Sequence, residues 1–292
     1  EAIEAAMKFA RKFTGKKGMV AMKGSYHGKS FGALSLTFNP KYRKAFAPLV
    51  EKVSFASYGD MESLRSVVDD DTAFIILEPI QGESGIIVAP DNFLQQVREL
   101  CDEKGILLIF DEIQAGLGRT GRLWACDHWN TAPDILCLAK GIAGGVPMGA
   151  TLVRPDILAS MGKGEHSSTF GGNPISCAAG TAALKALTED GLIENSEKMG
   201  KMFREGLEKL KENHTMIREI RGKGLMIGIE MKFEVRDILM GLIKKGVLML
   251  YSGRNILRIL PPLVISEEDV TKVLHALDSI LTEEEQKRNV QG

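Results

Sequence analysis

Residues 105–145 read GILLIFDEIQAGLGRTGRLWACDHWNTAPDILCLAKGIAGG. Two short apolar runs stand in this stretch, Ile106 to Phe110 and Ile135 to Leu138, and each runs into an ionisable group. The first ends at Asp111-Glu112, the second at Ala139-Lys140. Runs that are apolar nearly throughout are what strands covered on both faces require. Phe74 to Leu77 and Gly149 to Val153 are runs of the same kind on either side. Between Phe74–Leu77 and Ile106–Phe110 lies segment 91–103, with Phe93, Leu94, Val97 and Leu100 at helical spacing. Strands alternating with helices predict an α/β fold built on a mostly parallel sheet. In open sheets of that kind ligands sit at the carboxyl ends of the strands. Asp111, Lys140 and the run FIILEPIQGESG, which ends a strand at Glu78-Pro79 and continues into a glycine-punctuated loop with Gln81 and Glu83, all fall at such ends.

After Gly172 the pattern changes. Asn173 to Leu187 is rich in small residues and suits close packing, and Leu192 to Glu212 is a charged amphipathic helix. Short strands at Leu225 to Met231 and Ile256 to Leu260 then mix with helices at Glu234 to Lys245 and Glu267 to Leu281. The expected organisation is a large ligand-binding domain over residues 1–190 and a smaller α+β domain over 191–292. The chain opens directly in helical periodicity, with Ile3, Ala6, Met7 and Ala10 on one face and neither an initiator Met nor a cap. That opening predicts a fragment cut inside a structure.

With 292 residues, 44% of them hydrophobic, the chain can bury a large core, and its net charge of -1 favours neither nucleic acid nor a membrane surface as a partner. No apolar run approaches the roughly 18 residues that span a bilayer. The four cysteines are scattered without a CxxC pair and read as core thiols in a reducing compartment, the cytoplasm. No metal site is expected.

Taken singly, Lys140 is a solvated lysine ending a strand and Asp111 a turn cap. Together they admit a sharper reading. A lysine whose pKa falls from about 10.4 toward roughly 7–8 becomes a nucleophile able to form a Schiff base. Gly141, Gly144 and Gly145 would let a flat ring approach the backbone. An Asp across that ring would keep a pyridine nitrogen protonated and make the ring an electron sink. The combination points to pyridoxal 5'-phosphate (PLP).

The run IFDEIQ…AKGIAGG (109–145), together with LEPIQGESG, YHGKS and STFGGNP, resembles the signature of the class III, or omega, PLP-dependent aminotransferases, and the likeness extends from Glu1 to about Leu281. The resemblance implies a fold-type I architecture and a homodimer with the active site at its interface. It implies Lys140 as the Schiff-base lysine and proton carrier, Asp111 on the pyridinium nitrogen and Gln114 on the ring's phenolic oxygen. Tyr26 would stack on the ring, His27 beside it would line the pocket, and Thr169 of the partner subunit would bind the phosphate. Glu83 and Arg258, the latter in LRILPPL, would pair as a gate that frees the arginine fork for the carboxylate of 2-oxoglutarate. A plain salt bridge is the structural alternative.

Two departures bear on the substrate. Lys29 stands where acetylornithine-type members carry an arginine, so the charge for a donor carboxylate is kept but the bidentate geometry is lost. HGKS with GALS also occurs in putrescine-type members, whereas IREIRGKGLMIGIEMKF and LRILPPLVIS resemble archaeal acetylornithine and carrier-bound (LysW) lysine enzymes. The resemblance therefore implies transfer of the terminal amine of an acetylornithine- or carrier-linked-lysine-type donor to 2-oxoglutarate, giving a semialdehyde and glutamate. Putrescine, ornithine or GABA is the alternative donor, and a catalytically silent, truncated interaction module is the alternative of another class. Family members carry a Gly-Thr or Gly-Ser phosphate loop just ahead of the helix that starts here at Glu1, so part of the phosphate cradle is expected to lie outside this sequence.

Overall fold

The computed structural model describes residues 1–291, with side chains for residues 1–288. From the N-terminus, α1 (Ala2–Thr14) leads to β1 (Gly18–Met22), and α2 (Phe31–Leu36) and α3 (Pro40–Arg43) lead to β2 (Val53–Ala56). Next come α4 (Met61–Val67), β3 (Thr72–Leu77), the hairpin of β4 (Ile80–Gln81) and β5 (Ile87–Val88), α5 (Phe93–Lys104), β6 (Leu107–Asp111), β7 (Ile135–Leu138) and β8 (Ala150–Val153). Six strands form one sheet in the order β2-β1-β3-β6-β7-β8. All neighbours are parallel except β8, which closes the edge antiparallel to β7.

The near-continuous hydrophobicity of β3, β6 and β7 is explained by their cover. Every residue in these three strands is buried. Ile75, Leu108 and Phe110 face the apolar side of α5, while Phe74, Ile109 and Ile135 face Ile3, Ala6 and Ala10 of α1. Alternate residues thus bury against opposite layers, as period-two side chains must. β1 and β2 were not anticipated. β1 reads Gly-Met-Val-Ala-Met, with one β-branched residue in five, and only its place between two paired strands makes it a strand.

The rest of the chain builds a second sheet. α6 (Pro155–Ala159) and α7 (Pro174–Glu189) precede the long α8 (Leu192–Asn213). Asn173 caps α7, accepting the Ser176 N–H, with Pro174 in the first turn. β9 (Ile217–Lys223), β10 (Met226–Met231), α9 (Arg236–Lys244), β11 (Leu250–Ser252), β12 (Ile256–Ile259) and α10 (Glu267–Gln291) follow. The strands form an antiparallel sheet, β11-β12-β10-β9, whose Ile229 and Leu257 pack on Phe203 and Leu207 of α8 and Leu277 of α10. α10 runs past the expected end at Leu281, because the segment that follows is made of good helix formers and buries Glu284 beside Lys287. Among the described residues no helix is long and apolar enough to cross a membrane.

The two sheets meet at a backbone contact. Gly224, in the β9–β10 turn with φ 50°, sits between Gly200 of α8 and the backbone of Thr120. A Cβ on Gly200 would run into Gly224, and one on Gly224 into Thr120. Arg119 fastens the same place: its guanidinium donates to the carbonyls of Leu225 (3.3 Å) and Pro261 (2.5 Å), and its own carbonyl accepts from the Leu225 N–H (3.0 Å) and Ser196 Oγ (3.1 Å). Burial pushes the Arg119 guanidinium down to about 10, which leaves it charged at neutral pH. Gly200→Ala should therefore destabilise the protein by about 1–3 kcal/mol, as overpacking does. The urea midpoint should fall with the slope unchanged.

Candidate active site

The sheet register brings the chemistry to one edge. Leu77 of β3 pairs with Phe110 of β6, and Asp111 pairs with Cys137 of β7, so Glu78, Asp111 and the Ala139-Lys140 step leave the sheet side by side. Asp111 is only 4% exposed. Its Oδ2 lies 2.8 Å from His27 Nδ1, and its Oδ1 accepts the Ile113 N–H at 3.0 Å. A carboxylate buried this far needs such partners to stay there.

His27 was expected to line the pocket. It is instead fully buried behind Asp111, with its backbone N–H donated to Thr37 Oγ1 at 3.0 Å and its Nε2 buried without a hydrogen-bond partner. The reason is geometric: the turn after β1 directs His27 into the layer beneath the sheet edge, and Tyr26 stays half-buried.

Two further acids are buried nearby. Glu78 accepts the backbone N–H of Tyr26 (3.0 Å) and of Gly82 (3.1 Å). Burial pushes its carboxyl up to about 7, with the Asp111 charge acting in the same direction and His27 opposing. Glu112 accepts the N–H groups of Ala125 and Cys126, both at 2.7 Å. Burial pushes Glu112 up to about 7 as well, against the pull of those hydrogen bonds.

Lys140 begins a short turn, is exposed, and holds φ 45°, a left-handed conformation that costs a non-glycine residue about 1–2 kcal/mol. Strain of this kind collects at functional positions. Lys140 and Gln114 line a cavity of about 800 Å³ walled by Leu117, Leu260 and Leu263. The Gln114 amide packs over Gly82, where a Cβ would collide with it, and its Oε1 is buried and unpartnered. Tyr26, Tyr42 and Glu83 line a second cavity of about 260 Å³.

Loop 82–85 joins this edge to the antiparallel sheet. Arg258, on β12 and buried, donates to Glu83 Oε1 at 2.7 Å and to the Gly82 carbonyl at 3.1 Å, while its Nε is buried without a partner. Ser252 Oγ donates to the Glu83 carbonyl (2.5 Å) and Arg221 Nε to the Gly85 carbonyl (2.9 Å). Lys29 is exposed, its Nζ 5.3 Å from the centre of the Tyr42 ring, and Tyr42 meets Tyr26 edge-on at 5.6 Å. Thr169 stands apart, exposed in the loop before α7, with no side-chain hydrogen bond to the other candidates.

The structure thus gathers Tyr26, His27, Asp111, Gln114, Glu83 and Arg258 through Glu78 and loop 82–85, with Lys140 at the neighbouring strand end. Sequence reasoning assigned no part to Glu78, although an acid at a strand end before proline was the available signal. Tyr42 carried no signal at all.

The aminotransferase class-III family matches residues 1–281. An acetylornithine aminotransferase of Caldanaerobacter subterraneus subsp. tengcongensis is 44% identical over 290 residues, covering 97% of this chain and 74% of that protein. The [LysW]-aminoadipate semialdehyde/glutamate semialdehyde transaminase of Sulfolobus acidocaldarius is 43% identical over 287 residues, covering 98% and 74%. The solved ornithine aminotransferase of Toxoplasma gondii superimposes with a TM-score of 0.95 at 34% identity, covering 99% of this chain and 72% of that one, and is described as holding PLP at partial occupancy in its active site.

A pH dependence follows from Glu112. Folded, it keeps its proton to about pH 7; unfolded, it loses it near the ordinary value of 4.5. Between those values the unfolded chain binds fewer protons, so the stability this group contributes falls as pH rises through the window and levels off above it. Urea titrations of wild type and Glu112→Gln should show the wild type losing ground to the variant across that range. A constant difference would refute the assignment.

Proposed function

The chain belongs to the class-III aminotransferases, and from that premise we propose that it carries the terminal amine of an acetylornithine- or carrier-linked-lysine-type donor to 2-oxoglutarate, giving a semialdehyde and glutamate. The reaction class and the PLP cofactor come with the family. The observation that carries the acceptor half of the reading is the Arg258–Glu83 pair. Arg258 is buried and already holds a carboxylate at 2.7 Å, and that carboxylate belongs to a side chain that is 38% exposed. A departing Glu83 leaves a desolvated guanidinium matched to the carboxylate of an incoming oxo acid. For the donor half, Lys29 offers a point charge over the Tyr42 ring, beyond the Tyr26 wall.

The residues present fit PLP. A strained, exposed lysine, a buried carboxylate backed by imidazole and a glutamine amide at the cavity wall, able to donate to a phenolic oxygen, are what a pyridine aldehyde needs around it. Lys140 Nζ would hold it covalently, the Asp111 carboxylate would face its ring nitrogen, Gln114 its phenolic oxygen, and Tyr26 one ring face. Thr169 of the partner subunit would bind its phosphate. When bound, the cofactor supplies an electron sink next to the donor's amine-bearing carbon. Lys140 Nζ would then carry the proton from that carbon to the cofactor carbon that takes up the nitrogen, which is what leaves the donor as an aldehyde. His27 holds the Asp111 carboxylate in place, so it stays aimed at the ring nitrogen. Leu117, Leu260 and Leu263 give the cavity at Lys140 and Gln114 an apolar wall against which a flat ring can pack.

The homodimer is part of the proposal. α7 turns Ile175 (74% exposed), Ala178 and Ala182 outward, and the loop before it exposes Phe170 (81%). An apolar helix face of this kind suits burial against a second copy. The division into a cofactor domain (1–190) and a smaller domain (191–292) is supported by the separate apolar cluster running from Met199 to Leu281. Free, mostly buried thiols favour the cytoplasm.

Lys140→Ala should take up no covalently held chromophore, with the visible absorbance and the transfer activity lost together. Arg258→Lys should lower kcat/KM for 2-oxoglutarate about 10- to 100-fold, or about 1.4–2.7 kcal/mol, and leave KM for the amine donor unchanged. Assayed against acetylornithine, carrier-linked lysine, ornithine, putrescine and GABA by glutamate formed, the enzyme should prefer the first two. Activity confined to putrescine would overturn the donor assignment. Ile175→Glu should shift the protein from dimer to monomer in light scattering.

A further inference from the structure

Glu78 is a buried acid at the site's edge to which the reaction above gives no part. It leaves β3 beside Asp111, which leaves the neighbouring strand β6. Its two oxygens are divided between distant pieces of chain: Oε1 takes the Tyr26 N–H and Oε2 the Gly82 N–H. Tyr26 is the candidate ring wall, and Gly82 precedes the gate residue Glu83 and supports the Gln114 amide. The strand end that carries Glu78 is itself pinned, because Tyr58 Oη donates to the carbonyls of Glu78 (2.8 Å) and Pro79 (2.9 Å).

We propose that Glu78 is a positioning residue for transamination, whose single carboxylate holds the Tyr26 wall and the Gly82–Glu83 loop in fixed relation and adds its charge beside the His27–Asp111 pair behind the cofactor ring. The proposal rests on the PLP reading of the site. The titratable groups that face Glu78 are His27 from the segment after β1, Asp111 from the end of β6, and Tyr58 from the segment after β2. The Tyr58 hydroxyl is pushed well up by burial and stays neutral, so it contributes no charge. Two carboxyls and one imidazole share a dry layer, and the net charge of that layer turns on one proton. With Glu78 ionised, the layer is net negative when His27 is protonated and more so when it is neutral. Either state favours a cation at the ring nitrogen and at the lysine-bound carbon. With Glu78 protonated, that support weakens, and one of its two N–H contacts weakens with it.

Glu78→Gln keeps the shape and one acceptor but cannot ionise; Glu78→Asp keeps the charge on a shorter arm. Three readouts on the full chain separate positioning from a plain structural role: PLP titration of the apoprotein, the pH titration of the visible absorbance, and kcat and KM measured for amine donor and 2-oxoglutarate in turn. Glu78→Gln should remain coloured, with the absorbance midpoint moved to lower pH by about half a unit or more. Its PLP Kd should rise about tenfold, and kcat should fall more than either KM rises. Glu78→Asp should return the midpoint toward wild type. If Glu78→Gln keeps the wild-type midpoint and Kd while only its thermal stability drops, or if the aspartate variant shifts as far as the glutamine one, the assignment fails. A wild-type protein that takes up no chromophore would instead sink the cofactor reading, which separates the two failures.

Discussion

A carboxylate and an imidazole 2.8 Å apart, both nearly sealed from water at the carboxyl edge of a parallel sheet, set the terms for everything around them. Neither group would remain buried alone, because the desolvation cost of a lone charge in that layer exceeds what packing returns. Asp111 therefore needs His27, and His27 needs the turn after β1 that drops it under the sheet edge and fastens its backbone to Thr37. The turn is held in its own right by the carboxylate of Glu78 on the Tyr26 N–H. One buried charge thus dictates the arrangement of three strand ends and the loop between them. The apolar content of β3, β6 and β7 is the condition for it, since a wetter sheet edge would weaken the field that Asp111 presents.

The second sheet completes the site rather than merely adjoining it. Loop 82–85 leaves the large sheet and is taken up by side chains of the antiparallel one: Arg258 on Gly82 and Glu83, Ser252 on Glu83, Arg221 on Gly85. A gate built this way senses the relation between two layers of the protein. That relation is itself stiff, because Gly200, Gly224 and Thr120 meet backbone to backbone, with the Arg119 guanidinium bound to carbonyls on the far side. A rigid junction lets an arginine on one sheet and a lysine at the end of another face a small substrate at fixed separation, the condition under which orientation lowers a barrier.

Legibility followed from how local each signal was. β6 and β7 could be read because four or five consecutive apolar residues ending at a lone charge have one economical explanation, and their covering layers bear it out. The helices α5 and α8 could be read from their spacing. β1, β2 and β9 could not. Gly-Met-Val-Ala-Met and Ile-Arg-Glu-Ile-Arg-Gly-Lys carry weak or mixed strand preference, and pairing makes them strands, with β3 about fifty residues on for the first and with the adjoining β10 for the second. The burial of His27 behind Asp111 was not legible, since nothing in YHGKS says which of two adjacent side chains a turn will bury. Glu78 was visible as an acid at a strand end, yet its two hydrogen bonds reach 52 residues back and four forward, which no local pattern encodes.

The amino-acid sequence alone determined the class of architecture, the family resemblance, and the identity of the lysine and aspartate at adjoining strand ends. Each of these is written in short-range terms: runs of apolar residues, glycine punctuation, a charge at a defined step. Tertiary structure decided which of the gathered groups lie in the dry layer and which face the cavities, and hence which carboxyls are pushed up toward neutrality. Burial and through-space charge are sums over residues brought together from the whole chain, so they exist only once the sheet edge has closed around them.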